Sequence, residues 1–315
     1  MTASTAPAQI RARRRPGDTV FAGAALVGGL LILVALAAVA IFLIVQSLPA
    51  FGAKPEEITS TGAFPNFWSY VVPLVFGTIW AALLALLFAV PFSIGIALFI
   101  SHYAPRRIAR GLGAIIDLLA AVPSVVYGAW GIYVFAPFLQ PFYAFLTSKL
   151  GWFPLFSGPA SATGRTILTV ALVLAVMITP IITALSREIF LQTPRLNEEA
   201  ALALGATRWE MISMAVLPFG RAGIVSASML GLGRALGETL AVAMVLSPSV
   251  VVSFFLLRSE NPTTIASNIA LNFPEAFGTS VNVLIATGLV LFVITFVVNA
   301  ASRAIVGRRG GGKGI

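Results

Sequence analysis

Long apolar runs, separated by short clusters of charge or of proline and glycine, set the rhythm of this chain. Six of them reach the roughly 20 residues a helix needs to cross a bilayer. They are Val20–Leu48, Val71–Ile100, Leu112–Pro137, Ile167–Leu185, Ile224–Leu246 and Val283–Ile305. Each predicts a spanning helix. Several exceed the minimum, so tilt or extension into the interface is expected. Pro73, Pro91, Pro123 and Pro180 fall in or near these runs and mark expected kinks, because neighbouring groups must satisfy the carbonyls that proline frees. The pattern predicts an all-α integral membrane protein with six transmembrane helices.

Composition agrees with that reading. The chain is 58% hydrophobic and 10% charged over 315 residues, whereas a soluble domain carries about 25% charged residues. It has no cysteine and one histidine, His102, so disulfides are excluded and no metal site is expected. The net charge of +9 invites a nucleic-acid reading. The positions of the charges argue against it, because they flank the apolar runs.

Those flanks set an orientation. With six crossings, fifteen basic residues fall on one side. They include Arg11, Arg13, Arg14 and Arg15, then Arg106, Arg107 and Arg110, then Arg187, Arg195, Arg208 and Arg221, and the C-terminal group from Arg303 to Lys313. Only Lys54, Lys149, Arg165 and Arg258 fall on the other side. Both termini are therefore expected in the cytoplasm and the protein in the plasma (cell inner) membrane. Residues 1–17 read as a basic tail, 18–309 as the membrane domain and 310–315 as a flexible end. The first apolar run is too long for a signal peptide's core, so it reads as an uncleaved first helix.

The loop holding Phe138, Phe142, Tyr143, Phe145, Trp152, Phe153 and Phe156 is expected to lie along the outer membrane surface, where aromatic rings are favoured. The loop Ser247–Ser280 also reads as external.

Two charges interrupt the fifth run. Arg234 and Glu238 are four residues apart, which on a continuous helix places them on one face. Charges at membrane depth cost roughly 2.5–3.5 kcal/mol each and mark solute paths or buried pairs. The expectation is a paired element beside a solute path, with a pair that only fixes helix register as the alternative. Gly231, Gly233 and Gly237 thin the same stretch, for close helix packing or for room beside the backbone. Asp117 reads as an interfacial acid outside the path.

The longest inner loop, 186–223, predicts a helix, a sharp turn at Gly205, and a second short helix. Thr207 is its cap and Glu210 stands three residues later. Its exposed small and apolar residues suit docking by another surface. Glu199, Ala200 and Ala201, then Gly205, then Leu217 and Pro218 resemble the E-A-A-x3-G-x9-I-x-L-P signature of ABC importer permeases. Ala215 departs from it, standing where the pattern has Ile. Ala121–Gly128, reading AVPSVVYG, and Gly231–Thr239, reading GLGRALGET, look like stretches of phosphate permeases, closest to the PstC-like branch.

The resemblance implies a type I ABC importer permease fold and a coupling helix seated in a separate ATPase. It implies a PstA-like permease as partner, two PstB-like ATPase subunits that bind the ATP, and an external PstS-like phosphate-binding protein. Phosphate would be held by Arg234, whose planar fork matches its oxygens. Glu238 would accept a hydrogen bond from a protonated phosphate oxygen or neutralise Arg234 when the path is empty. No cofactor is expected in this chain and no catalytic constellation is visible. The phosphate-cradling pattern of a nucleotide site is missing, since the glycines near the C-terminus lack a following Ser or Thr. The alternatives are a permease for sulfate or molybdate, a secondary transporter, which inverted repeats would support, and, last, a membrane enzyme.

Overall fold

The structure, a computed structural model, describes residues 16–59 and 61–310. The arginines at 11–15 and the tail beyond Gly310 lie outside the described residues. In chain order the α-helices are α1 Pro16–Ser47, α2 Pro55–Ile58, α3 Phe67–Leu98, α4 Arg106–Ala120, α5 Ser124–Trp130, α6 Ala136–Leu150 and α7 Ile167–Leu191. Then follow α8 Arg195–Ala203, α9 Arg208–Met211, α10 Leu217–Leu236, α11 Leu240–Val245, α12 Ile265–Asn272 and α13 Thr279–Gly310. Wider π-turns extend α3 through Tyr103, join α5 to α6, and join α9 to α10. Two residue pairs form the parallel strands β1 Pro248–Ser249 and β2 Asn261–Pro262.

Among the described residues, six helices are long and apolar enough to cross a membrane. They are Val20–Gly52, Phe67–Tyr103, Ser124–Leu150, Ile167–Leu191, Arg208–Leu236 and Thr279–Ala304. The first, second, fourth and sixth follow the apolar runs of the sequence. The third and fifth differ.

The predicted third run, Leu112–Pro137, is not one helix. A Cβ on Gly113 would meet Arg187 near the C-terminal end of α7, and one on Gly164, just before α7 begins, would meet the Ala136 carbonyl. The chain therefore travels the depth of α7 between residues 113 and 136, as the run predicts, but in two pieces. The break at Ala121–Pro123 follows from proline, which lacks an N–H and disfavours helix at the residue before it. Beyond Ala136 the helix continues to Leu150. It absorbs Phe138, Phe142, Tyr143 and Phe145, which the sequence placed in a surface loop. Tyr143 is fully buried, its hydroxyl 2.7 Å from Thr169 Oγ1.

The centre of the bundle is α7, packed chiefly against α3 and α10. Both partners offer small residues to it. Ala81, Ala85 and Ala89 repeat every four residues along α3 and are buried in the same cluster as α7. Along α10, Gly220 sits on Phe190, Gly223 on Ile189, and Gly231 on Ile182 and Ile178. Small side chains let helix backbones approach, which is how membrane helices gain packing contacts without a hydrophobic drive between them. Ser93 of α3 adds a hydrogen bond to the Thr179 carbonyl at 3.2 Å. By contrast α1 packs mainly on α13, and its apolar side chains are exposed.

The loop Ser247–Ser280, expected outside, re-enters the bundle. Residues 261–268 are all buried, and a Cβ at Gly77 would fall 2.2 Å from the Thr263 carbonyl. At 1.5 Å per residue, Gly77 lies about 15 Å along α3 from Phe67. Irregular backbone at such depth must find its partners within protein. Asn261 supplies them, accepting from the Ile167 amide at 2.9 Å and donating to the Arg165 and Ser259 carbonyls. Thr78 Oγ1 accepts from the Ile265 amide at 2.9 Å, and Asn268 Nδ2 donates to the Tyr70 hydroxyl at 2.7 Å.

Candidate functional site

The fifth crossing carries the candidate charges, and it too is broken. Helix α10 ends at Leu236, and Gly237 closes it with its amide on the Gly233 carbonyl at 3.3 Å. Helix α11 starts at Leu240. The i, i+4 register expected for Arg234 and Glu238 needs one continuous helix. The break removes it, and the two side chains form no ion pair. Each charge instead meets a helix terminus of the sign that suits it. Arg234 stands in the last turn of α10, where partial negative charge gathers. Glu238, only 8% exposed, accepts from the Ala241 amide at 3.1 Å in the first turn of α11. Thr239 Oγ1 donates to the Gly237 carbonyl at 3.1 Å and tightens the turn between them.

This break lies at mid-depth, since Gly231 is level with Ile178 and Ile182 of the 25-residue α7. It also faces the other break. A Cβ on Gly128 of α5 would come within 2.9 Å of Ala241 Cα, and one on Gly131 would meet Val245 and Val173. The Tyr127 hydroxyl donates to the Leu119 carbonyl at 2.9 Å, bridging the α4–α5 gap, and lies within electrostatic reach of Arg234. The two stretches that resemble phosphate permeases, 121–128 and 231–239, thus meet in space. Two interrupted helices facing each other at mid-depth are an arrangement that transport proteins use to present polar groups to a solute.

Arg234 is the unsatisfied member. Its Nε is buried without a hydrogen-bond partner, and no carboxylate among the described residues pairs with it. A guanidinium at this depth that lacks a protein counter-charge is costly unless something else supplies the negative charge. The three glycines separate by role. Gly231 is a packing residue, a Cβ on Gly233 would meet open space, and Gly237 forms the helix end. Sequence reasoning missed Arg165. It donates to the carbonyls of Met244, Val245 and Leu246, so it caps the C-terminal end of α11.

The inner loop folds as its sequence predicts. Helix α8 ends at a turn where Gly205 has φ +87, a left-handed conformation that favours glycine. Thr207 and Glu210 then form a reciprocal cap, with the Thr207 amide 2.7 Å from Glu210 Oε2 and the Glu210 amide 3.3 Å from Thr207 Oγ1. Glu199, Ala200, Gly205 and Pro218 are exposed, and Ala201 and Leu217 are half-buried. Leu204 is 90% exposed at the tip, with Leu196, Trp209 and Met214 also exposed. Exposed apolar side chains of this size are the kind of surface that contacts between proteins use. The root of the loop is fixed, because Met211, Ile212 and Val216 pack with Ala97, Leu98 and Phe190 at the ends of α3 and α7. Glu198 lies 3.6 Å from His102 Nε2 at the end of α3.

An apolar helical bundle with an interrupted crossing and a projecting two-helix loop is the build of a membrane permease. The chain belongs to the family of binding-protein-dependent transport system inner membrane components, which matches residues 89–310. Within that family it is similar to the phosphate transport system permease protein PstC 2 of Mycobacterium tuberculosis. The two are 46% identical over 318 aligned positions, covering 96% of this chain and 97% of that protein. It is also 46% identical to PstC of Mycobacterium leprae, with 86% and 87% covered, and 41% identical to PstC of Xylella fastidiosa, with 83% and 81% covered. In fold it resembles a bacterial ABC transporter involved in import of the acidic polysaccharide alginate. That match has a TM-score of 0.53 at 18% identity, over 88% of this chain and 96% of the other. The inward-facing MetNI methionine transporter matches with a TM-score of 0.50 at 16% identity, over 77% and 93%. The fold is that of a type I ABC importer permease, and the protein is a multi-pass inner membrane protein.

Proposed function

We propose that this chain is the permease subunit of an ATP-driven phosphate importer, forming half of the translocation path. The observation that carries this reading is the Arg234 guanidinium, held at mid-depth at a helix break with no ion-pair partner among the described residues. The names of its relatives support phosphate as the anion. Phosphate in transit supplies the negative charge, accepting from Arg234 through two oxygens. Glu238, fixed by the Ala241 amide, accepts from the hydroxyl of a singly protonated phosphate. Sulfate carries no proton near neutrality and offers Glu238 only repulsion. The carboxylate therefore discriminates rather than neutralising Arg234.

The face bearing Arg106, Arg187 and the α8–α9 loop is cytoplasmic, with both termini there, by the excess of basic residues on that side. The exposed apolar tip around Leu204 seats in an ATPase subunit, and the fixed root passes its displacement to α3, α7 and α10. A PstA-like permease completes the path, two PstB-like ATPases bind and hydrolyse ATP, and a PstS-like protein delivers phosphate from outside. This chain itself holds no nucleotide. Reconstitution of the assembled transporter in proteoliposomes tests the reading. Labelled phosphate should accumulate only with ATP on the ATPase side, and a large excess of sulfate should leave uptake unchanged. ATP-independent uptake, or equal competition by sulfate, overturns it.

A further inference from the structure

A cavity of about 740 Å³ opens on the same face as the α8–α9 loop, between the end of α3, α4 and the C-terminal end of α7. Four arginines line it, Arg106, Arg110, Arg187 and Arg195, against a single carboxylate, Asp117. Asp117 forms no ion pair with any of them. The side chains of Arg106, Arg110 and Arg195 are exposed and form no ion pair among the described residues. Arg187 is different. It lies in a slot against α4, where a Cβ on Gly113 would fall 2.2 Å from its Nη1. Its Nε is buried without a partner, and Nη2 reaches only Glu188 at 2.8 Å. Rules of membrane orientation call for positive charge on this face. They do not call for four guanidinium groups lining one concavity, where like charges repel and only Arg187 has an acidic partner, Glu188.

We propose that this cavity is a second anion site, separate from Arg234, for a tetrahedral phosphate group. The fork geometry of arginine fits several oxygens of one such group at once. Two sources share this chemistry: inorganic phosphate released from the path, and the headgroup of an anionic phospholipid lying against the apolar wall of Ile100, Ala104 and Leu191. The site stands on the placement of this face in the cytoplasm argued above, but not on transport through Arg234.

The assembled transporter carrying Arg234→Ala, in nanodiscs of phosphatidylcholine, isolates the cavity from the path. Binding of labelled inorganic phosphate is measured there, and retention of phosphatidylglycerol is measured in discs that contain it. The double variant Arg110→Gln/Arg195→Gln should weaken whichever probe binds by roughly tenfold. Phosphate bound in neutral discs and lost in the variant identifies the free anion. Phosphatidylglycerol retained by the parent and lost in the variant identifies the lipid. Asp117→Asn, which removes the opposing charge, should tighten the same probe by about threefold, a gain that misfolding does not produce. Neither probe responding to the double variant, or Asp117→Asn weakening binding, overturns the proposal. In the transporter with Arg234 intact, absence of ATP-driven uptake alongside this binding would instead count against the transport reading alone.

Discussion

Glycine ends a helix both at the α10–α11 break and at the α8–α9 turn, but the two positions use it differently. Gly205 has φ +87, which other residues rarely adopt, and stands open with no atom near its Cβ position. Gly237 has φ −92, which any residue can adopt, and a Cβ there would lie 3.6 Å from the Gly233 carbonyl. The exposed turn is thus fixed by backbone conformation and a reciprocal cap, and it displays apolar side chains. The mid-depth break is fixed by what surrounds it, namely Glu238 on the Ala241 amide and Arg165 on the far end of α11. On the proposed function, docking calls for the rigid outline of the first, and a site in the path calls for charged groups held by contacts that a moving solute or helix can replace.

The largest expected effect separates these regions by readout. Arg234→Ala should reduce phosphate uptake by roughly 100-fold, comparable to losing one donor in a preorganised oxyanion site, while co-purification with the ATPase is unchanged. Arg234→Lys should recover only part of it, because an ammonium lacks the fork. Full uptake by Arg234→Ala in assembled complexes would remove the site from the path. Leu204→Asp should do the reverse. The side chain is 90% exposed, so the fold is untouched, yet ATPase co-purification should fall by about tenfold. Intact association would mean that the tip is not the docking surface.

A smaller effect tests the packing face of α10. Gly231→Val would push a Cβ to 2.7 Å from Ile182 Cδ1 and should cost about 1–3 kcal/mol, read as a lower unfolding temperature. Gly233→Ala, with open space at its Cβ position, should be neutral or stabilising by up to about 1 kcal/mol. Equal effects would show that the two glycines are not distinguished by α7. The smallest effect returns to the two turns. Gly205→Ala should destabilise by about 1–2 kcal/mol through its left-handed backbone, and Gly237→Ala by less. A reversed order would break the contrast drawn between them.

The sequence carried the helices and the turn between α8 and α9 because both are local. Apolar runs report burial in lipid, and Thr207 with Glu210 reports a cap within four residues. The Arg234–Glu238 pairing failed for a local reason too. Gly237 followed by Thr239 and an apolar run is a helix stop and restart, a signal masked by the overall hydrophobicity of Ile224–Leu246. The split of the third crossing was marked by Pro123. The re-entry of residues 261–268 had no such mark. Asn261, Thr263, Thr264, Ser267 and Asn268 fall in a loop read only as external, and only the partners they find, from Tyr70 to the start of α7, show why they are buried. Asp117, read as an interfacial acid, lines a cavity with Arg106 and Arg110 of its own helix and with Arg187 and Arg195, which only the fold brings beside it.

Arg165 has a mechanical consequence. Its guanidinium spans three successive carbonyls at the end of α11, and the turn before it is pinned where Gly164 leaves no room beneath the Ala136 carbonyl. The short helix beyond the break is thereby tethered to the half of the molecule remote from the α8–α9 loop, while α10 is anchored along α7 on the other half. Because Arg165 stands two residues before α7 begins, the end of α11 is bound to the start of the helix along which α10 packs, and the two sides of the break share α7 as their common support.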